Sequence, residues 1–347
     1  MASIDLRSDT VTLPSTAMRE AIFTAELGDD VFGEDPTVNR LEEMAAERMG
    51  KERGLFVASG TMANSVCVLT HCRRGEEVIL GDKSHMFLNE SGSMSAVGGV
   101  HPHTVLNQAD GTMRPEDIEA AIRGNKVHLP RTRLICLENT HNWCSGAALS
   151  AEYTDSVAEL AKRHGLLVHL DGARIFNAAI ALGVDVKELT RGVDSVSFCF
   201  SKGLSAPVGS VVCGSEDFIA EARRTRKVLG GGMRQAGIIA AAGIVALEEM
   251  VERLAEDHVN ARRLAEGIAQ IDGLSIDVAA VQTNIIYFDL VSGRLSVEEF
   301  LKRLEEKGIK LLCIGRPARF RMVTHYGIGA EDIDVAVAGL REVMKES

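Results

Sequence analysis

Over its first 230 residues the chain alternates short apolar runs with amphipathic stretches of helical period, and few architectures accommodate that alternation. Apolar runs of strand length lie at 54–58, 77–81, 100–106, 133–137, 166–170, 195–200 and 209–213. Helical periodicity marks 61–72, 116–123, 151–164, 174–182 and 215–229. A strand covered on both faces reads as an unbroken apolar run, and an intervening helix carries the chain back to start a parallel neighbour. The pattern predicts an α/β fold with a mostly parallel central sheet and helices on both faces. In such sheets ligands bind outside the carboxyl ends of the strands. The polar residues that close each apolar run are therefore the ones to inspect.

The pattern changes after two long helical stretches at 235–250 and 251–271. A strand at 283–290, a helix at 297–307, strands at 310–313 and 319–324, and a helix at 331–345 read as a small α+β unit. We expect a large domain over 1–250, with residues 1–20 as an arm that contributes to the site, and a small C-terminal domain over 251–347. With 347 residues, 46% of them hydrophobic, the chain holds apolar material for two cores.

A formal charge of −11 disfavours nucleic acid and acidic membrane surfaces as partners. The longest apolar stretch, 236–247, is well short of the ~18–20 residues that span a bilayer and suits a close-packed core helix. Charges at Asp5, Arg7 and Asp9 leave no apolar signal core. The seven cysteines are odd in number, form no CxxC pair and mostly lie inside apolar runs, where cysteine acts as a small hydrophobe. A cytoplasmic protein without a disulfide framework or a metal site is expected.

One apolar run ends in an amine. Ser197-Phe198-Cys199-Phe200-Ser201 leads directly to Lys202, and a tight return from Gly203 to Gly209 follows. Another run ends in Asp171, with Arg174 opening the next helix. Asp171 and Lys202 are separated by about one crossover, as on adjacent parallel strands. An amine shielded from water is nucleophilic, and a carboxylate can hold a pyridine nitrogen protonated. That pair suits pyridoxal 5'-phosphate (PLP), with a Schiff base on Lys202 and Asp171 on the ring nitrogen.

Other residues fit the same cofactor. Ser59-Gly60-Thr61 closes one apolar run and opens a helix, where free N–H groups and the helix dipole attract a phosphate. The same string is also an ordinary N-cap. His85, behind the run at 77–81, can stack on a pyridine face; His128 and His141, before and behind the run at 133–137, are further candidates. Each of these histidines, taken alone, is also an ordinary loop residue. Arg319, Arg321 and Val323 share one face of a period-two strand, where an arginine can clamp a carboxylate bidentately. No Gly-x-Gly-x-x-Gly follows the first strand, which disfavours a nicotinamide-dependent dehydrogenase.

Longer motifs extend the case. They are Asp5-Leu6-Arg7-Ser8-Asp9-Thr10, Gly28-Asp29-Asp30-Val31-Phe32-Gly33, Ser59-Gly60-Thr61, Glu138-Asn139-Thr140-His141-Asn142, His169-Leu170-Asp171-Gly172-Ala173-Arg174, Ser201-Lys202-Gly203, Gly230-Gly231-Gly232-Met233-Arg234-Gln235 and Val323-Thr324-His325. In these motifs, and over essentially its whole length, the chain resembles the low-specificity L-threonine aldolases, including the L-allo-threonine aldolases. These are PLP enzymes of the aspartate-aminotransferase-like fold type I, in the broader β-eliminating lyase group.

The resemblance implies retro-aldol cleavage of L-threonine or L-allo-threonine to glycine and acetaldehyde. Cleavage of another β-hydroxy amino acid such as phenylserine, or β-elimination, is the alternative on this scaffold; a non-catalytic PLP-binding protein is a distant one. It implies that Lys202 carries the cofactor, Asp171 pairs with the ring nitrogen, His85 stacks on the ring, and Gly60 and Thr61 hold the phosphate. Arg234 would reach a neighbouring subunit's cofactor. Ser8, Arg174 and Arg321 would hold the substrate carboxylate. His128 would lie near the substrate hydroxyl, so His85 and His128 are the candidate bases. A homotetramer with active sites at dimer interfaces is implied as well. Two departures from the family pattern stand out: Trp143 to Ser150 stands where the family often has a glycine-rich turn followed by a proline, and Ser205 replaces a second glycine after the lysine.

Overall fold

The structure, a computed structural model, describes residues 3–124, 126–315 and 317–345. The chain opens with β1 (Ile4–Asp5), turns once through 9–11, and enters α1 (Thr16–Thr24) and α2 (Pro36–Met49). Neither helix is predicted by the apolar alternation; their signals are at their ends. Ser15 and Asp35 accept backbone N–H bonds at the two N-caps, and Pro36 takes the first helical position, where a missing N–H is harmless.

The alternating region follows as β2 (Arg53–Val57), α3 (Gly60–His71), β3 (Glu77–Gly81), the short α4 (His85–Leu88) and α5 (Ser93–Ala96), β4 (His101–Val105), α6 (Pro115–Ala121), β5 (Thr132–Glu138) and α7 (Ala151–Arg163). It continues through β6 (Leu167–Asp171), α8 (Ile175–Leu182), α9 (Val186–Thr190), β7 (Ser195–Cys199), β8 (Ser210–Gly214), α10 (Glu216–Val228) and α11 (Gly237–Glu249). Every strand and helix expected here forms, with ends displaced by no more than about two residues.

Seven strands make one sheet in the order β2-β8-β7-β6-β5-β3-β4. The pairs from β7 through β4 are parallel, whereas β8 runs antiparallel to both β2 and β7. Helices cover both faces. In β2, Phe56 joins Leu41, Phe176 and Ala242 in the main core, while Leu55 and Val57 join Val66 and Ala222 on the other side. Successive strand residues point to opposite faces, so a doubly covered strand must be apolar throughout.

The C-terminal unit contains α12 (Leu254–Ile268), β9 (Leu274–Ser275), β10 (Ile285–Leu290), α13 (Val297–Glu306), β11 (Ile309–Lys310), β12 (Leu312–Gly315), β13 (Arg319–Val323) and α14 (Ala330–Lys345). Its antiparallel sheet has the order β12-β13-β10-β9, and Phe288, Phe300, Phe320 and Leu340 form its core. The arm joins it: β1 pairs with β11, and Ile4 and Leu6 pack into this second core, while Met18 packs into the main one. The segment between them, with Ser8 and Asp9, therefore crosses the cleft between the two cores.

Candidate functional site

Because β2, β3, β5, β6 and β7 point the same way, their carboxyl ends share one edge of the sheet. Asp171 is the last residue of β6 and Glu138 the last of β5. Gly60 opens α3 beyond β2, and His85 opens α4 beyond β3. Lys202 lies on the tight return from β7 to β8, the one connection at this edge made without a crossover helix.

Asp171 is buried and fully bonded on its protein side. Its Oδ1 accepts the Ala173 N–H at 3.0 Å and its Oδ2 accepts Asn64 Nδ2 at 2.8 Å. Burial pushes its carboxyl up, but the charges of His85 and Lys202, with the Asn64 bond, outweigh that and hold it below the usual carboxylate range. The Lys202 amine makes no hydrogen bond or ion pair with the described residues, while its carbonyl accepts the Thr12 hydroxyl at 3.1 Å. At the start of α3, a Cβ on Gly60 would stand 2.9 Å from Cys199 Sγ, so a larger residue there would force a shift. Ser59 caps α3 through Met62 N–H, leaving the amides of Gly60 and Thr61 at a helix N-terminus.

His85 is held from both ends. Its backbone N–H donates to Glu138 Oε2 at 2.6 Å, and its ring Nδ1 meets Glu90 Oε1 at 2.9 Å. Burial lowers the imidazole pKa, but Glu90 and Asp171 raise it further, so the net shift is upward. His85, Glu90 and Asp171 also have the mutual spacing of a metal-ligand set among the described residues. The Asn64 amide already donates to both carboxylates, at 2.8 Å each.

The arm supplies the other half. Arg174, at the N-cap of α8, is buried, and its Nε and Nη2 each lie 2.7 Å from the carboxylate of fully buried Asp9. The arginine expected to clamp a ligand thus spends one edge on Asp9 and keeps Nη1 free of described partners. Arg321 on β13 donates through Nη1 to Asn142 Oδ1 at 3.0 Å and through Nη2 to the Arg7 carbonyl at 3.2 Å; its buried Nε has no partner in the structure. Burial and the charge of Arg174 both lower the Arg321 pKa. Ser8 stands between the two residues these arginines hold, its Oγ accepting from the Thr10 N–H and hydroxyl at 3.3 and 2.9 Å. Two mutually repelling guanidiniums beside a hydroxyl have the donors and charge that suit a carboxylate.

Two expected residues are not brought to this cluster within one chain. His128 is exposed in a turn ahead of β5. That loop is tied at both ends to Glu77, the first residue of β3, through Arg123 Nε at 2.6 Å and Thr132 Oγ1 at 3.0 Å. A residue ahead of a parallel strand belongs to the edge opposite the carboxyl ends, which the sequence pattern alone does not rank. Arg234, between α10 and α11, pairs with Asp29 at 3.0 Å and is largely exposed. His141 is buried behind β5, where its N–H closes the turn to the Ala147 carbonyl at 2.8 Å. In the departing stretch, Trp143 Nε1 donates to Asn89 Oδ1 at 2.8 Å, just beyond α4. Ser205 adopts φ 62, the left-handed region that suits the glycine it replaces.

The site also gathers residues to which the sequence pattern assigns no role: Asp9, Asn64, Glu90, Glu138 and Asn142. Glu138 accepts the backbone N–H of both His85 and Asn142, so it ties down His85 and the residue whose side-chain Oδ1 meets Arg321. An acid closing an apolar run, as Asp171 does, was the signal available for it.

Comparison with known proteins identifies the family and the fold. The family described as Beta-eliminating lyase matches residues 5–290. The chain is 54% identical to "Low-specificity L-threonine aldolase 1" of Arabidopsis thaliana, over 99% of this chain and 97% of that protein. It is 44% identical to "Low specificity L-threonine aldolase" of Escherichia coli, over 97% of this chain and 98% of the relative. A threonine aldolase structure from Leishmania major superposes with a TM-score of 0.83 at 18% identity, over 98% of this chain and 99% of that one. Serine palmitoyltransferase of Sphingomonas wittichii superposes with a TM-score of 0.78 at 16% identity, over 99% and 88%. These two likenesses are of fold, and that fold is the PLP fold type I expected from the motifs. The chain belongs to the β-eliminating lyase family, and within it to the low-specificity L-threonine aldolases.

Proposed function

We propose that the protein is a PLP-dependent aldolase that cleaves L-threonine and L-allo-threonine to glycine and acetaldehyde. The observation that supports this most directly is the convergence of an unpaired lysine amine and a buried ionised carboxylate at one sheet edge, with two mutually repelling arginines, Arg174 at the N-cap of α8 and Arg321 on β13, brought to the same cluster. The names of the relatives supply the substrate class.

The residues present fit the cofactor. The amides of Gly60 and Thr61 would take its phosphate; Asp171 would take the ring nitrogen, His85 one ring face and Lys202 the aldehyde carbon. Bound there, PLP supplies the sink for the electron pair released as the Cα–Cβ bond breaks. The chain does the rest. Arg321, Nη1 of Arg174 and the Ser8 hydroxyl bind the amino-acid carboxylate and so set the orientation of the bond to be broken. His85 is the base this chain offers for the β-hydroxyl proton, directly or through a water, a role worth ~10²–10⁴-fold. His128 and Arg234 would act from a neighbouring copy, in a homotetramer with sites at dimer interfaces. All seven cysteines are free, which suits a reducing compartment such as the cytoplasm.

The test begins with the purified protein. PLP colour that borohydride fixes in the wild type, and that is lost with turnover in Lys202→Ala, is expected; full activity in that variant would end the reading. Products of L-threonine and L-allo-threonine turnover should be glycine and acetaldehyde. 2-Oxobutanoate and ammonia would assign β-elimination instead. Comparing His85→Ala with His128→Ala then locates the base: a loss in kcat marks it, and a raised KM alone marks a positioning role.

A further inference from the structure

Asn64 is the hub of a buried hydrogen-bond chain running from the site to the far end of α3. Its Nδ2 donates to Asp171 Oδ2 and to Glu90 Oε1, each at 2.8 Å. An ionised carboxylate offers no hydrogen, so the amide must turn its NH₂ toward these two groups. Oδ1 then faces the other way, where it accepts from Ser197 Oγ at 3.0 Å and from His169 Nε2 at 3.2 Å. All four hydrogen-bonding positions of Asn64 are used, and the side chain has one orientation.

That orientation fixes the groups behind it. Asn64 Oδ1 only accepts, so the proton of His169 is on Nε2. His169 Nδ1 therefore accepts, and Ser195 Oγ donates to it at 3.0 Å. The Ser195 hydroxyl has one hydrogen, so its 2.8 Å contact with His71 Nε2 is donated by His71. Burial holds His169 near a pKa of about 4 and His71 near about 3, so both rings are neutral at ordinary pH, as this arrangement requires. His71 stacks on Phe218 at 4.4 Å, which fixes the outer end.

The need for such a chain follows from charge. Asp171 and Glu90 are buried like charges, and burial together with Asp171 pushes Glu90 upward against the pull of His85. Without a donor between them, one carboxylate would take a proton. If Asp171 took it, the pairing with a pyridine nitrogen would be lost.

We propose that Asn64 and His169 are positioning residues that keep Asp171 ionised and aimed at the ring nitrogen of the cofactor, with Ser195 and His71 locking the His169 tautomer. This rests on the PLP reading of the site. It is tested on the full-length protein by the dissociation constant for PLP and by the absorbance of the bound cofactor at fixed pH. Asn64→Leu, of similar volume, is expected to weaken PLP binding roughly 10–100-fold and to change the proportion of the absorbing forms. His169→Leu is expected to act the same way more weakly, and His169→Gln, which keeps a donor toward Asn64, to restore wild-type behaviour. A merely structural role would lower thermal stability in these variants and leave both cofactor readouts unchanged. Ser195→Ala, which removes one hydroxyl, carries the test should the larger changes prevent folding, with a smaller shift of the same kind expected. Folded variants with wild-type affinity and spectrum would overturn the inference while wild-type PLP binding stands. A wild type that binds no PLP would overturn the underlying reading and this inference with it.

Discussion

Asp9 carries a consequence for both stability and binding. It is fully buried and holds Arg174 bidentately, so Asp9→Ala leaves a buried guanidinium without its partner. Breaking a buried pair from one side costs about 3–5 kcal/mol, and an arginine that holds the substrate carboxylate as proposed would lose its aim as well. Urea unfolding should show the first effect and a raised KM the second. Burial raises the Asp9 pKa, but the charge and hydrogen bonds of Arg174 lower it well below the ordinary value. A depressed carboxylate stabilises the fold above its unfolded pKa of about 3.9, and that contribution is lost as pH falls below it. Unfolding free energy measured between neutral pH and pH 3 should therefore fall on the acid side less in Asp9→Asn than in the wild type. His85 moves the other way, its pKa raised by Glu90 and Asp171 against burial. A base must be neutral, so kcat/KM should decline as pH drops through a midpoint above about 6.5. Glu90→Gln removes the main raising contact and should shift that midpoint downward.

At the scale of elements, the return from β7 to β8 places Lys202, and its geometry is strained at one residue. Ser205 is fully buried at φ 62, and its Oγ has no partner in the structure. A non-glycine residue in the left-handed region is destabilised by about 1–2 kcal/mol, partly offset by the greater unfolded-state freedom of glycine, about 0.5–1 kcal/mol. Ser205→Gly should therefore raise stability by about 1 kcal/mol, visible as a higher midpoint in thermal unfolding. The same turn shows how elements share the site. Thr12 of the arm bonds the Lys202 carbonyl, and Glu138 at the end of β5 holds the first turn of α4. Helices and strands set the coarse positions, and these few side-chain-to-backbone bonds fix the loops between them.

The whole molecule leaves two site candidates facing outward. Arg234 pairs with Asp29 on the surface, and His128 is exposed. Leu13, Phe23 and Phe32 are large apolar side chains that are 69%, 89% and 73% exposed. Exposed apolar side chains such as these are ones that the proposed assembly with further copies would cover. Sedimentation should show an oligomer. Mixing inactive Lys202→Ala with a weakly active Arg234→Ala should restore turnover, because a hybrid then contains one site with both wild-type groups. No recovery on subunit exchange would place Arg234 outside the shared site.

The sequence by itself determined the central sheet, the strands and helices of the small α+β unit, and the placing of Asp171 and Lys202 at the ends of neighbouring strands. Strands covered on both faces must be unbroken apolar runs, and one crossover separates neighbours, so both signals are local and periodic. The helices α1 and α2 escaped that signal because only their caps announce them. Tertiary structure alone decided that Asp9 meets Arg174 from 165 residues away, that Asn64 bridges Asp171 and Glu90, and that Glu138 links His85 to Asn142. It also decided that His128 and Arg234 lie outside the cluster of their own chain. Such contacts join residues remote in sequence through strand order and the path of the arm, and they leave no period along the chain to read.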